Sequence, residues 1–230
     1  MKNSVLTSII CSFALFLMHN GVAFAQSGEY NRCARYAKYP QMRLRSSYGK
    51  LKYNTEYSTE KLSELAARSK ISEQGMFATG LSHVYVEWKV SLHTNIKNFE
   101  NYTCVVPTSV DIFFGYRDPV IYLSKDLEPE TCKYEVVLRH EQQHQQINKA
   151  TLDYYLPILQ NNFYKALEKL KPQEVLEGQT AQDVVNQLNQ TYTDIISQYV
   201  KRFQITLQIE QQRLDNLKNY QYEEKLCRKH

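Results

Sequence analysis

His140-Glu141-Gln142-Gln143-His144 is the stretch of this 230-residue sequence whose residue types and spacing point most directly to a reaction. Two histidines four apart on a helix project from the same side, one turn above each other, so both imidazoles can reach one Zn²⁺. The glutamate beside the first histidine then borders the open coordination position. There it can take a proton from a water activated by the metal and hand it to a leaving amine. The motif therefore predicts zinc bound by His140 and His144, Glu141 as general base and then acid, and a peptide or protein substrate.

A catalytic zinc site needs a third protein ligand. The metzincin extension requires Gly at 147 and His at 150, and Ile147 and Ala150 exclude it. Asp153 is about half a turn off the metal face on a continuous helix, so the ligand must come from another element. If the chain turns between Glu174 and Glu177 and two helices run antiparallel, facing residue numbers add to roughly 351. The histidines then face positions near 207–211, and Glu210 is the carboxylate in that window. It also interrupts an apolar stripe, where a buried carboxylate needs a cation; the other reading is a flank residue in solvent or paired with Arg139 or Lys133. Asp215 is the next choice, and Glu168 becomes one if Pro157 folds the chain back. Tyr199 and Tyr220 are candidates to assist the oxyanion. Pro119-Val120-Ile121-Tyr122-Leu123, just before the metal helix, is placed to be the edge strand along which substrate lies.

The elements that must position these groups follow from hydrophobic period. Residues 41–52 are basic and can hold a strand, and 58–70 form a helix with Leu62, Leu65 and Ala66 on one face. Residues 81–92 alternate strictly, with Val84, Val86, Trp88, Val90 and Leu92 on one side, as in a half-buried strand. Polar residues 98–101 turn the chain into strands at 103–114, interrupted at Pro107, and 119–124. From about 131 the period becomes helical: Val137, His140, His144, Ile147, Thr151, Tyr155 and Ile158 draw one face. Pro157 should kink or end that helix. After a turn at 171–179, one long helix is predicted over about 181–226, with the stripe Leu188, Tyr192, Ile195, Tyr199, Phe203, Leu207, Glu210, Leu214, Leu217. The expected fold is α+β and zincin-like: a small, mainly antiparallel sheet in the first half, packed on long C-terminal helices that carry the motif.

The first 25 residues read as a secretory signal: Lys2, an apolar run from Val5 to Met18, then Ala23-Phe24-Ala25 before Gln26. Cleavage near Ala25/Gln26 would leave one domain, residues 26–230, secreted or periplasmic and with no stable membrane span. Cys11 leaves with the signal, and four cysteines remain in an oxidising compartment, which favours two disulfides. Three connectivities exist; the preferred one is Cys104–Cys132 and Cys33–Cys227. The whole chain has 28 basic and 24 acidic residues and a net charge of +4, too mild to imply nucleic acid. With 18 Tyr, 9 Phe and 43% hydrophobic residues it has the apolar surface for a core.

In this order of features the chain resembles the bacterial predicted secreted zinc-dependent proteases. The likeness runs over roughly residues 50–222. It comprises the Val-x-Trp-x-Val strand around Trp88, Cys104 and Pro119 at strand starts, Cys132 leading into Leu138-Arg139-His140-Glu141-Gln142-Gln143-His144, and Gln212-Arg213-Leu214-Asp215 in the last helix. The resemblance implies a zincin-like fold, zinc and a role for Asp215. Gln143, Leu214, Lys218 and Tyr220 depart from that pattern, where Gly, an aromatic residue, Thr and His are usual. A weak or inactive relative is therefore one alternative. Another is a catalytically inert secreted binding or structural protein that docks partners on a long helical hairpin.

Overall fold

A computed structural model describes residues 31–68 and 77–227; the signal segment expected at 1–25 lies outside the described residues. The organising element is one long strand, β4 (Thr103–Leu123). The strand β3 (Gly80–Asn98) runs antiparallel beside it along nearly its whole length. A tight turn joins the two, with the Phe99 amide donating to the Tyr102 carbonyl at 2.9 Å. Pro107 does not interrupt β4, and the two strands expected at 103–114 and 119–124 are one.

On the other side of β4 lie β1 (Gln41–Ser47), β2 (Lys52–Asn54) and the short β5 (Gln173–Glu174). β1 and β2 run parallel to β4, while β5 runs antiparallel. Ser47 pairs with Gly115 and Lys52 with Val120, so both strands advance equally and one register continues past the break. Gly49 makes that break possible: its φ of +70° is left-handed, and a Cβ there would lie 2.5 Å from Pro119 Cδ. The sheet is thus mixed, which corrects the expectation of a mainly antiparallel one. Period-2 alternation is the same for either strand direction, so the pattern could not distinguish them.

Among the described residues four α-helices complete an α+β fold: α1 (Thr59–Arg68), α2 (Cys132–Ala166), α3 (Ala181–Leu214) and α4 (Leu217–Leu226). Thr131 caps α2 by accepting from the Tyr134 amide, and Thr180 with Asp183 forms a reciprocal capping box on α3. α2 passes through Pro157 without ending. Pro157 is exposed, so the carbonyl it deprives of a partner faces water, while Leu152, Leu159 and Phe163 anchor both flanks in the core. That burial outweighs a helix-interior proline penalty of about 3 kcal/mol. Among the described residues no helix is long and apolar enough to cross a membrane.

The core lies between one face of the sheet and the α2–α3 hairpin. Val110, Ile112, Phe114 and Tyr116 of β4 meet Leu152 and Phe163 of α2 and the stripe Val184, Leu188, Tyr192, Ile196, Val200, Phe203, Leu207 of α3. Phe114 and Phe203 meet edge to face at 5.0 Å, and the buried Tyr192 hydroxyl donates to the Phe163 carbonyl. The stripe takes Ile196 and Val200 where Ile195 and Tyr199 were expected. That shift of one position alters which residue follows Leu207 into the interior.

The helix expected over 181–226 is two helices. α3 stops at Leu214, Asp215 leaves helical geometry (φ −78°, ψ 67°), and Asn216 restarts the chain by capping α4 through the Asn219 amide. The disulfides are Cys33–Cys104 and Cys132–Cys227, which corrects the preferred pairing of Cys104 with Cys132 and Cys33 with Cys227. Cys104 stands at the start of β4 and Cys132 after its end. On the order of 60 Å of extended strand separates them, far beyond the reach of one disulfide.

Candidate metal centre

α2 presents its motif to the inside. His140, Glu141 and His144 are all buried, in the part of the helix facing the α3–α4 junction and the start of β3. Because the junction is a break, the Asp215 carboxylate lies between the histidines instead of continuing along a helix. His140 Nε2 is 3.1 Å from Asp215 Oδ1, His144 Nε2 is 3.0 Å from the same oxygen, and the two ring nitrogens are 3.1 Å apart.

The outer ring nitrogens show why this triangle calls for a cation. His140 Nδ1 lies 3.1 Å from the Glu223 carboxylate of α4, and His144 Nδ1 bonds the Gln211 side-chain oxygen of α3. Both partners accept, so each Nδ1 carries the hydrogen and each Nε2 of a neutral ring presents a lone pair. Two lone-pair nitrogens and a carboxylate oxygen then face one another, an arrangement favourable only with positive charge among them. Ligand atoms on a tetrahedral zinc stand roughly 3.3 Å apart, close to the spacing seen. His140, His144 and Asp215 therefore form a group able to hold a metal ion.

Without a metal, protons on the two Nε2 atoms supply that positive charge, and the electrostatics show the demand for it. Burial lowers the basicity of His140, but Asp215, Glu141 and Glu223 overcome it and lift its pKa to about 9. His144 shifts upward too, with Asp215 outweighing its burial. Burial raises the Asp215 carboxyl, but hydrogen bonds from His140, His144 and Tyr220 hold it well below its ordinary range. Burial pushes Glu141 up to about 7 against the pull of His144 and His140. The nearby Ser82 backbone favours its ionised form, and its side chain packs against Gly80 at the start of β3. A second shell braces the ligands: Gln211 also donates to the His144 carbonyl (3.2 Å) and to Asn148 Oδ1 (2.7 Å).

The group opens on a cleft of about 880 Å³. Gly80, Leu81 and Val84 of β3 form one wall, and Val137, Leu207 and Leu217 bring apolar surface from the helices. Among the described residues no strand pairs with β3 on the side away from β4, the kind of edge on which an extended chain can add. Residues Pro119–Leu123, expected to offer that edge, belong to β4 and lie between β2 and β3. They cannot accept another strand.

The other expected site residues fall as follows. Glu210 is half-exposed and pairs with Arg213 at 2.7 Å, away from the histidines. The hairpin window was sound, but the stripe's shifted phase turns Gln211 inward in its place. Glu168 is exposed in a short 3₁₀ turn after α2. Tyr199 packs on Phe163, some 18 Å along α3 from Gln211. Tyr220 joins the site: its hydroxyl donates to Asp215 Oδ1 at 2.6 Å and its ring lies 5.3 Å from His140. Its phenol is pushed well up by burial and by Asp215, so it stays a donor. His93 bonds Asp111 on an exposed part of the sheet, and His83 borders the cleft. Asp153 bonds the Tyr48 hydroxyl at the surface. Glu223 and Gln211 were not anticipated. The signal for Gln211 was its place in the facing window, and for Glu223 its place one turn before Cys227.

No protein-family model, curated protein or solved structure matches this chain.

Gly80 offers a test of the site's geometry. A Cβ at this position would lie 2.5 Å from Glu141 Oε1 and 2.7 Å from Val137 Cγ1. Gly80→Ala should displace the whole Glu141 side chain, whose Cγ would also lie 2.8 Å away, with a smaller adjustment of Val137. The expected result is unchanged zinc content with impaired turnover, measured by metal analysis and peptide cleavage on one preparation.

Proposed function

We propose that the chain is an exported zinc-dependent metallopeptidase of the zincin kind, with His140, His144 and Asp215 as ligands. The observation that carries this reading is the triangle of two imidazole nitrogens and a carboxylate oxygen, with the buried Glu141 beside it in a cleft walled by a free strand edge. When bound, zinc supplies Lewis acidity, making water acidic and polarising a carbonyl. Substrate in extended form would lie on the free edge of β3, held by main-chain hydrogen bonds and by apolar side chains in the cleft. Glu141, packed against Gly80 at the start of β3, takes the proton from the attacking water and returns it to the departing amine. Tyr220 holds the Asp215 carboxylate, so its expected role is to fix a ligand before any contact with an oxyanion. Two disulfides fit an oxidising compartment, which supports export. The resemblance to the bacterial predicted secreted zinc-dependent proteases supports the same reading through the H-E-x-x-H helix and Asp215.

Metal analysis tests the ligand set. Protein purified without chelators should carry one zinc per chain, and His144→Ala should carry little. Absence of stoichiometric zinc, or zinc retained after that change, would sink the proposal.

A further inference from the structure

The helix α4 has almost nothing apolar to hold it in place. Its one fully buried residue is Glu223, a carboxylate; Tyr220 and Leu226 are half-buried, and Leu217 and Tyr222 are exposed. Two kinds of attachment are visible. The first is polar and goes to the metal centre: Glu223 to His140 Nδ1 at 3.1 Å, and Tyr220 to Asp215 at 2.6 Å. The second is covalent: Cys227, which follows the last turn of α4, is bonded to Cys132, the first residue of α2.

A ten-residue helix with no fully buried apolar side chain, only the half-buried Tyr220 and Leu226, does not stay docked on propensity alone. A buried carboxylate is a poor anchor too, since its desolvation offsets much of what its partner returns. The disulfide changes this balance by keeping α4 close to α2, so that Glu223 re-forms its bond with little further loss of chain entropy. Asn219, one turn before Glu223, donates to the same carboxylate at 3.2 Å and aims it.

Resting on the zinc reading above, we propose that α4 is a disulfide-anchored strap that completes the metal centre. In it Glu223 is the positioning residue that orients His140, and Cys132–Cys227 keeps the strap seated. Glu223 holds the proton-bearing Nδ1, which fixes the tautomer and turns Nε2 toward the metal. The other disulfide, Cys33–Cys104, ties the N-terminal turn to β4 and touches none of these groups. The two bridges therefore have separable roles: one secures the sheet and the other secures the site. A chain lacking the second bridge would fold its core and still bind zinc poorly.

The experiment measures zinc dissociation constants by chelator competition on the full-length secreted chain. Glu223→Ala and the double change Cys132→Ser/Cys227→Ser should each weaken zinc about 10–100-fold, as loss of an outer-shell partner does. Glu223→Gln, which can still accept from Nδ1, should recover most of the loss. Combining Glu223→Ala with the double serine change should add little, because both act through one contact. Cys33→Ser/Cys104→Ser should leave zinc affinity unchanged while lowering thermal stability. Hydrogen exchange should show residues 218–226 losing protection in the Cys132→Ser/Cys227→Ser protein while α2 and α3 keep theirs. Parent-like zinc affinity in either Glu223→Ala or Cys132→Ser/Cys227→Ser overturns the strap and leaves the zinc reading standing. A parent protein that binds no zinc overturns both.

Discussion

Asp215→Ala is expected to strip zinc from the protein, whereas Glu210→Ala leaves it bound. The two carboxylates are five residues apart, yet their surroundings differ in every relevant respect. Glu210 shares the surface with Arg213 and is half-exposed, so its removal costs at most a surface ion pair, about 0–1 kcal/mol. Asp215 supplies the oxygen that lies 3.0–3.1 Å from both imidazole nitrogens and accepts from Tyr220. On the proposed ligand set, alanine there removes a direct ligand and leaves the Tyr220 hydroxyl unpaired. The loss of zinc affinity should exceed the 10–100-fold typical of an outer-shell partner. Chelator competition on the two variants gives the answer, and the reverse order of affinities would transfer the third ligand to Glu210.

Glu141→Gln should keep its zinc and lose its cleavage, by about 10²–10⁴-fold in turnover, the range that a positioned acid–base group contributes. Glutamine has nearly the same shape and volume, so the helix and the cleft should not change. It cannot take the proton of the attacking water. Because Glu141 is not among the ligating atoms, its replacement separates holding a metal from using it. Cleavage of an unfolded protein substrate, followed beside metal content, is the measurement. A purified parent that holds zinc but cleaves nothing, in which Glu141→Gln also changes no function, would favour the binding-protein alternative.

Much of the architecture was legible in the sequence wherever one periodicity ran without competition. The alternation from Val84 to Leu92 gave the core face of β3, and these residues do pack against the helices. The change to a helical period after Thr131 located α2 and put His140 and His144 on one side of it. Three features were not legible. Strand direction left no trace in an alternating pattern, so β1 and β2 were not expected to run parallel to β4. Pro157 argued for a kink or an end to the helix, and distributed core packing carries the helix past it. The phase of the α3 stripe was read one residue off near its middle, because Ile195 and Ile196, and Tyr199 and Val200, are adjacent apolar choices. Over 34 residues such an error decides whether Glu210 or Gln211 faces the metal helix.

The sequence by itself determined the chemistry on offer: two histidines one turn apart with a glutamate between them, on an apolar helix face. Local spacing is enough for that, since i and i+4 share a side of any α-helix. Only the tertiary structure decided what completes the set. Asp215 reaches the histidines because α3 stops there and Asn216 begins a new helix, and Glu223 reaches His140 because Cys132–Cys227 brings α4 back to the start of α2. Both depend on contacts between residues more than seventy positions apart, and local propensity carries no information about which distant partners will meet. The physical reason is burial: three lone pairs are brought together inside the fold only where the whole chain has closed around them.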